Sequence, residues 1–201
     1  RLTAVYNGIK AAGLLDQLVH LARADTLPQW VAVCVYSLTM TGLFIMSTAV
    51  HADSDLARVD RFDRADRVAI YLFIAGTYTH TTLSVLDGGW RLGILLAIWI
   101  QAGLGTVAAV LGWTRPRWLT TGIYVLMGCT IFIAAVPLGR ALDGWSLFWL
   151  IAGGASYILG AVVFALRRPD PWPRVFGFHG LWHLAVLGGA ASHYVLIYRT
   201  M

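Results

Sequence analysis

Residues 145–166 read WSLFWLIAGGASYILGAVVFAL, a stretch of 22 residues without a charged side chain. An α-helix needs about 20 mainly apolar residues to cross the hydrocarbon core of a bilayer. Further stretches of similar length and composition follow one another along the chain, with short polar segments between them. The sequence therefore predicts a bundle of membrane-spanning helices.

The composition of the whole chain supports the same interpretation. Of its 201 residues, 58% are hydrophobic and only 12% are charged, and the mean hydropathy is +0.69. Soluble domains usually carry about 25% charged residues. These values exclude a disordered chain, a coiled coil and an ordinary soluble enzyme. We predict a single integral membrane domain over residues 1–201.

The predicted fold class is an all-α bundle of seven transmembrane helices. The predicted spans are residues 2–22, 29–51, 66–86, 92–113, 118–138, 145–166 and 178–198. The first is the least regular, because Lys10, Asp16 and His20 are costly in lipid. We expect these three side chains to face the bundle interior. The alternative for this segment is an interfacial amphipathic helix.

The distribution of arginine predicts the orientation of the bundle. The chain has 14 Arg and one Lys, with a formal net charge of +5. The arginines lie between apolar runs rather than on one stripe, which argues against nucleic acid as a partner. With seven spans, ten arginines lie on the side of the N-terminus and four on the other. Cytoplasmic loops are rich in Lys and Arg, so we expect a cytoplasmic N-terminus and an external C-terminus.

Four residues that bear reactive side chains map to this cytoplasmic face, namely His51, Asp66, His179 and His183. His179 and His183 are four residues apart and therefore project from one face of a helix. Such a pair, with a third histidine from another helix, is a pattern of catalytic Zn²⁺ sites. The spacing alone favours a hydrogen-bonded packing feature or a proton relay over a metal. The convergence of the pair with His51 and Asp66 favours the metal.

Two further residues are assigned roles beside this predicted metal site. Ser47 lies one helical turn before His51, so its hydroxyl can face the same place. Asp66 opens a span and can hold or deprotonate a metal-bound water. The remainder of the Asp- and Arg-rich run at 53–67 is expected to be mostly a solvated loop. His80 and His193 are expected to be buried core or interface histidines in the outer half of the bundle.

The chain resembles the hemolysin III branch of the progestin and adipoQ receptor (PAQR) family. The resemblance is carried by STAVH at 47–51, DRVAIYLFIAGTYT at 66–79, YVLMG at 124–128, residues 153–165 and FHGLWHLAVLGGAASHY at 178–194. It covers most of the chain after about residue 30. The S-x-x-x-H, Asp and H-x-x-x-H elements are specific in combination, although each alone is weak.

The resemblance implies a seven-span bundle with its N-terminus inside and zinc near its cytoplasmic face. We expect the protein to lie in the bacterial inner (plasma) membrane. It implies the zinc ligands His51, His179 and His183, with Asp66 and Ser47 close to the metal and its water. It also implies a distant link to alkaline ceramidases, which hydrolyse amides at a zinc site. The family's acidic motif before span one is absent here. His80 stands where the family has proline after G-T-Y-T.

Several functions fit these observations. The first is a zinc-dependent hydrolase of a lipid amide or ester, with Asp66 as general base and Ser47 positioning water or the oxyanion. The second is a non-enzymatic sensor or regulator of membrane lipid homeostasis with structural zinc. A pore-forming haemolysin is disfavoured, because a chain this apolar cannot be soluble before insertion and shows no continuous polar stripe. A channel or proton transporter would need ionisable residues throughout the depth of the bundle.

Overall fold

The computed structural model describes residues 26–52, 56–113, 117–172 and 176–201, and most of these are helical. In chain order the helices are α1 (Leu27–Ala52), α2 (Leu56–Val85), α3 (Gly88–Val110), α4 (Arg117–Cys129), α5 (Ala135–Ala141), α6 (Gly144–Leu166) and α7 (Phe178–Thr200). A 3-10 segment (Thr130–Ala134) joins α4 to α5, and together they form one span.

Six segments of the described chain are long and apolar enough to cross a membrane: α1, most of α2, α3, the α4–α5 span, α6 and α7. They correspond to the predicted spans two to seven. Predicted span one, residues 2–22, lies outside the described residues. The presence of a seventh membrane span and the sides of the membrane on which the termini lie therefore stay predictions.

One predicted boundary is wrong. The Asp- and Arg-rich run was expected to be mostly a loop up to residue 66, but α2 begins at Leu56. Within this charged part, the Arg67 guanidinium donates a hydrogen bond to the Asp63 carboxylate one turn earlier. Pairs of opposite charge at this spacing stabilise a helix. Charged side chains therefore continue the helix beyond the apolar span instead of ending it.

Helix α2 occupies the centre of the bundle. In its most apolar stretch of 18 residues, 61% of the residues are buried, compared with 17–33% in the corresponding stretches of the other five spans. One hydrophobic cluster packs α2 against α3, α4 and α5, and includes Tyr71, Ile98 and Met127. A second cluster, which includes Tyr36 and Phe73, packs α2 against α1 and α7. Tyr157 of α6 packs against the second cluster and Leu150 of α6 against the first, so the two clusters around α2 contact all of the other described spans.

The 3-10 segment between α4 and α5 is tied to α2 by the hydroxyl of Tyr78. Its oxygen accepts a hydrogen bond from the Ile131 N–H at 2.8 Å. It lies 2.9 Å from the Met127 carbonyl oxygen and 2.8 Å from that of Gly128, and its one hydrogen is shared between them. Ile131 and Met127 are an i, i−4 pair. A side chain inserted into this ladder is a recognised cause of an interrupted helix.

Helices α6 and α7 pack through reciprocal contacts between aromatic rings and glycines. Tyr157 of α6 stacks on His193 of α7 with ring centroids 5.7 Å apart and an angle of 14° between the planes. A Cβ at Gly153 would lie 2.7 Å from the His193 ring, and one at Gly189 would lie 2.6 Å from the Tyr157 ring. Each ring therefore needs a glycine on the opposite helix. Small residues allow such close packing in membrane bundles.

An ion pair joins the start of α6 to the end of α7, at the end of the bundle away from His51. The Asp143 carboxylate accepts the Ser146 N–H at 2.6 Å and so caps the start of α6. Arg199, near the end of α7, donates to the same carboxylate at 2.7 Å. The hydrogen bond from the Ser146 backbone, followed by the bonds from the Ser146 side chain and Arg199, lowers the pKa of Asp143 from 3.8 to about 2.

Candidate metal centre

Three histidines from two helices meet at one end of the bundle. His51 lies in the last turn of α1, while His179 and His183 lie in the first two turns of α7. The Nε2 atom of His179 is 3.1 Å from Nε2 of His51 and 3.0 Å from Nε2 of His183. One nitrogen from each ring lies within 4.8 Å of the other two. The structure thus brings together the three residues that the sequence predicts as metal ligands.

The backbone carbonyl of Ser47 determines which ring nitrogen of His51 carries the proton. The Nδ1 atom of His51 lies 2.7 Å from the Ser47 carbonyl oxygen, which can only accept a hydrogen bond. The proton of a neutral His51 is therefore on Nδ1, and its Nε2 atom carries a lone pair. A hydrogen bond from the outer nitrogen to a carbonyl is the usual support of a metal-binding histidine.

The donor set fits a metal cation better than it fits hydrogen bonding. The Nε2 atom of His179 faces the Nε2 atoms of both other rings, and that of His51 has no hydrogen. When the rings are neutral, only one of these two contacts can therefore be a hydrogen bond. A cation, in contrast, is bound by all three lone pairs. Nitrogen ligands at 2.0–2.1 Å from a tetrahedral Zn²⁺ are about 3.3 Å apart, close to the spacing found here. These residues can hold zinc with its fourth position left for another ligand.

Asp66 and Ser47, the two residues predicted to act beside the metal, are positioned by neighbouring helices. Asp66 lies on α2 and interacts electrostatically with His51. Its Oδ1 atom is buried and has no hydrogen-bond partner among the described residues. Ser47 contributes its carbonyl oxygen to the orientation of His51. The catalytic roles assigned to the Asp66 carboxylate and the Ser47 hydroxyl stay predictions.

Aromatic side chains that the sequence analysis did not single out surround the His179 ring. The ring of Phe164 lies 5.9 Å from that of His179, and the ring of Phe178 lies 6.4 Å from it. Trp182 packs on Phe164 at 5.3 Å. The spacing of Phe178 and Trp182 on α7 could have drawn attention to them. Nothing in the sequence around Phe164 connects it with residues on the next span.

The remaining histidines lie elsewhere. His80 is fully buried, and its Nε2 atom is 3.3 Å from the Ser84 hydroxyl. His193 is 7% exposed and lies in the interface between α6 and α7. Both lie inside the bundle, as the sequence analysis expects. His20 lies outside the described residues.

Comparison with known proteins gives the same family as the sequence motifs. The family model described as "Haemolysin-III related" matches residues 8–194. "Hemolysin-3" of Bacillus cereus is 35% identical over 200 residues, which are 96% of this chain and 88% of that protein. "Hemolysin-3 homolog" of Bacillus subtilis (strain 168) is 32% identical over 167 residues, which are 83% of this chain and 76% of that protein.

A eukaryotic relative extends the comparison. "Adiponectin receptor protein" of Drosophila melanogaster is 34% identical over 171 residues, which are 70% of this chain and 36% of that protein. The family match and the six apolar helices together make this chain an integral multi-pass membrane protein, and the bacterial relatives suggest the plasma membrane. The chain belongs to the haemolysin-III related family, the haemolysin III branch of the PAQR family.

Proposed function

We propose that this protein is a zinc-dependent hydrolase of a lipid amide or ester, with its site at the end of the bundle that carries His51, His179 and His183. The observation that carries the proposal is the convergence of three Nε2 atoms. That of His179 lies 3.1 Å from that of His51 and 3.0 Å from that of His183. Three histidines with an open fourth position are a pattern of catalytic rather than structural zinc.

The residues around the cluster have separable roles in this proposal. A bound zinc supplies a Lewis acid for the substrate carbonyl and lowers the pKa of its water towards neutrality. The Asp66 carboxylate takes a proton from the attacking water and returns it to the leaving amine or alcohol. The Ser47 hydroxyl orients that water or donates a hydrogen bond to the carbonyl oxygen. The Ser47 carbonyl keeps His51 in the correct tautomer.

The surroundings of the cluster suit a substrate that comes from the membrane. His51 and His179 are exposed in the structure, so the described residues do not seal the site. Phe164, Phe178 and Trp182 form an apolar wall beside His179. Apolar and aromatic walls with a few convergent polar groups are typical of small-molecule sites. An acyl chain can lie against this wall while its carbonyl is at the histidines.

Metal analysis of the purified protein tests the first half of the proposal. We expect one zinc per wild-type chain and a stoichiometry near zero for His179→Ala, because His179 contacts both other rings. The matched control is His193→Ala, which removes a histidine from the same helix but far from the cluster and should retain zinc. Metal-free wild-type protein after purification without chelators and incubation with zinc would reject the site.

Hydrolysis by the zinc-loaded protein tests the second half. We expect release of fatty acid from a ceramide or from a glycerolipid ester in mixed micelles. Asp66→Asn should retain zinc, since Asp66 is not one of the three ligands, and should lose about 10²–10⁴-fold in rate, the usual contribution of a general base. An unchanged rate for Asp66→Asn would exclude the assigned role, and absence of turnover on both lipid classes would exclude the hydrolase.

A regulator of membrane lipid homeostasis is the second candidate, favoured by one observation. The histidine cluster joins the end of α1 to the start of α7, so a bound zinc would tie two helices that are distant in sequence. If zinc raises the unfolding temperature of the wild-type protein but no lipid is hydrolysed, the metal is structural. We also propose that this end of the bundle is in the cytoplasm. A cysteine introduced at Asp170, in a variant in which Cys34 and Cys129 are replaced by alanine, would test this by labelling in intact and in opened cells.

A further inference from the structure

The end of the bundle away from the histidines contains a cavity of about 380 Å³. It lies between the end of α2, the start of α3 and α5, with a wall that includes Val85, Leu86 and Pro137. Three side chains give it its chemical character, namely Asp87, Trp90 and Arg140. Neither the proposed hydrolysis nor the histidine cluster uses any of these residues.

The acidic group of this cavity is already neutralised within the chain. Arg91 donates to the Asp87 carboxylate at 2.7 Å. The same guanidinium also donates to the Leu86 carbonyl oxygen at 2.6 Å, which holds it at the end of α2. Asp87 and Arg91 therefore form a local pair with no net charge.

Arg140, in contrast, has no carboxylate partner among the described residues. The other two arginines at this end of the described chain are paired, Arg91 with Asp87 and Arg199 with Asp143. Arg140 lies in the last turn of α5 and lines the cavity as an exposed side chain. The cavity thus carries one net positive charge, placed over an apolar wall.

The level of the cavity in the membrane indicates where a balancing anion comes from. Helix α2 ends at Val85, α3 begins at Gly88 and α5 ends at Ala141, so three spans leave the hydrocarbon core here. Trp90 is 48% exposed, and tryptophan is enriched at the boundary between hydrocarbon and headgroups. An arginine at this depth extends its guanidinium towards the headgroups while its stem stays on apolar surface.

We propose that this cavity binds the headgroup of an anionic phospholipid from the leaflet opposite the histidine cluster. The Arg140 guanidinium binds the phosphodiester oxygens, for which its planar arrangement of donors is well suited. The Trp90 ring and the apolar wall contact the glycerol backbone and the first carbons of the acyl chains. A zwitterionic lipid is a poorer ligand, because its ammonium group would have only the Asp87 carboxylate, which Arg91 already occupies.

Lipid retention by the purified full-length chain tests this proposal. The protein is incubated in detergent with equal amounts of phosphatidylglycerol and phosphatidylcholine of the same acyl chains, and bound lipids are counted by native mass spectrometry. We expect the wild-type protein to retain phosphatidylglycerol in preference. Arg140→Ala should lower that retention about fivefold, the effect expected from one arginine at an anionic surface.

Three further arms make the result specific. Arg168→Ala removes an exposed arginine at the histidine end, and it should leave retention unchanged. Trp90→Ala tests the apolar part of the site and should also lower retention, without a change in net charge. An excess of inorganic phosphate should not displace the lipid, because phosphate makes no contact with the apolar wall.

The proposal is overturned if Arg140→Ala retains as much phosphatidylglycerol as wild type, or if Arg168→Ala loses as much as Arg140→Ala. Displacement by inorganic phosphate would equally overturn it in favour of a simple anion site. If Arg140→Ala does not purify as a folded protein, Arg140→Lys replaces it. Lysine keeps the charge but lacks the planar donors, so retention should fall between those of wild type and Trp90→Ala.

Discussion

Replacing Tyr78 by phenylalanine removes one oxygen atom and leaves the aromatic ring in the core. The hydroxyl accepts from the Ile131 N–H at 2.8 Å and donates towards the Met127 and Gly128 carbonyls at 2.9 and 2.8 Å. Tyr78 itself is only 7% exposed, so water cannot easily take the place of the lost hydroxyl. The substitution therefore leaves a backbone donor and part of two acceptors without their partner, in the middle of a span.

The expected cost follows from these contacts. A buried donor that loses its partner destabilises a protein by about 1–3 kcal/mol. The carbonyl oxygens add less, because each has a second lone pair and can accept from the helix as well. We therefore expect Tyr78→Phe to lower the free energy of unfolding by about 1–3 kcal/mol.

Tyr71→Phe is the matched control for this prediction. Tyr71 lies on the same helix, is fully buried, and its hydroxyl has no hydrogen-bond partner among the described residues. Removing such a group should be neutral or slightly stabilising. The two variants would be compared with wild type by reversible unfolding with SDS in mixed micelles, followed by far-UV circular dichroism. If Tyr78→Phe costs no more than Tyr71→Phe, the hydroxyl does not hold the break between α4 and α5.

Three further predictions concern other parts of the bundle. Gly153→Ala should destabilise the protein by about 1–3 kcal/mol through overpacking, because the new Cβ would lie 2.7 Å from the His193 ring. A Cβ at Gly154 has open space, so Gly154→Ala should be nearly neutral in the same unfolding assay. Because the pKa of Asp143 is lowered to about 2, its charged form stabilises the fold above about pH 4, and this contribution is lost as the pH falls towards 2. Asp143→Asn should therefore flatten the fall in stability between pH 4 and 2, and an unchanged slope would contradict this. Zinc should raise the unfolding temperature of the wild-type protein but not that of His179→Ala, as mass action requires of a ligand that binds only the folded state; an equal rise in both would exclude the cluster as the binding site.

Much of the candidate site could be predicted because helical spacing and the ends of apolar runs can be read from local sequence. The i, i+4 spacing of His179 and His183 places both on one helix face wherever that helix packs. The position of His51 at the end of an apolar run assigns it to the same membrane face once the spans are counted. Contact between His51 and His179 cannot be read from spacing, since it depends on which helices are neighbours and how each is rotated. The structure shows this contact at 3.1 Å.

Two of the three features that the sequence does not predict involve side chains from a different span. The interruption after Cys129 has one local signal, Pro137, which lacks the N–H that a regular helix would bond to the Ile133 carbonyl. The hydrogen bonds of this segment to the Tyr78 hydroxyl on α2 could not be read from the sequence. The start of α2 at Leu56 is not predicted, because charged residues by themselves do not distinguish the end of a helix from its continuation into water. The cavity beside Arg140 is likewise formed by residues from three separate helices.

The sequence by itself determined that this chain is built from membrane-spanning helices, where most of those helices lie and which histidines share a helix face. Length, apolar composition and helical spacing are enough for these conclusions, because in lipid each span must satisfy its backbone hydrogen bonds within itself. Only the tertiary structure decided that α2 is the central helix, that His51 completes the histidine cluster and that Arg140 lacks a carboxylate partner among the described residues. Each of these depends on packing between helices, and packing is decided by the shapes of side chains on several spans at once.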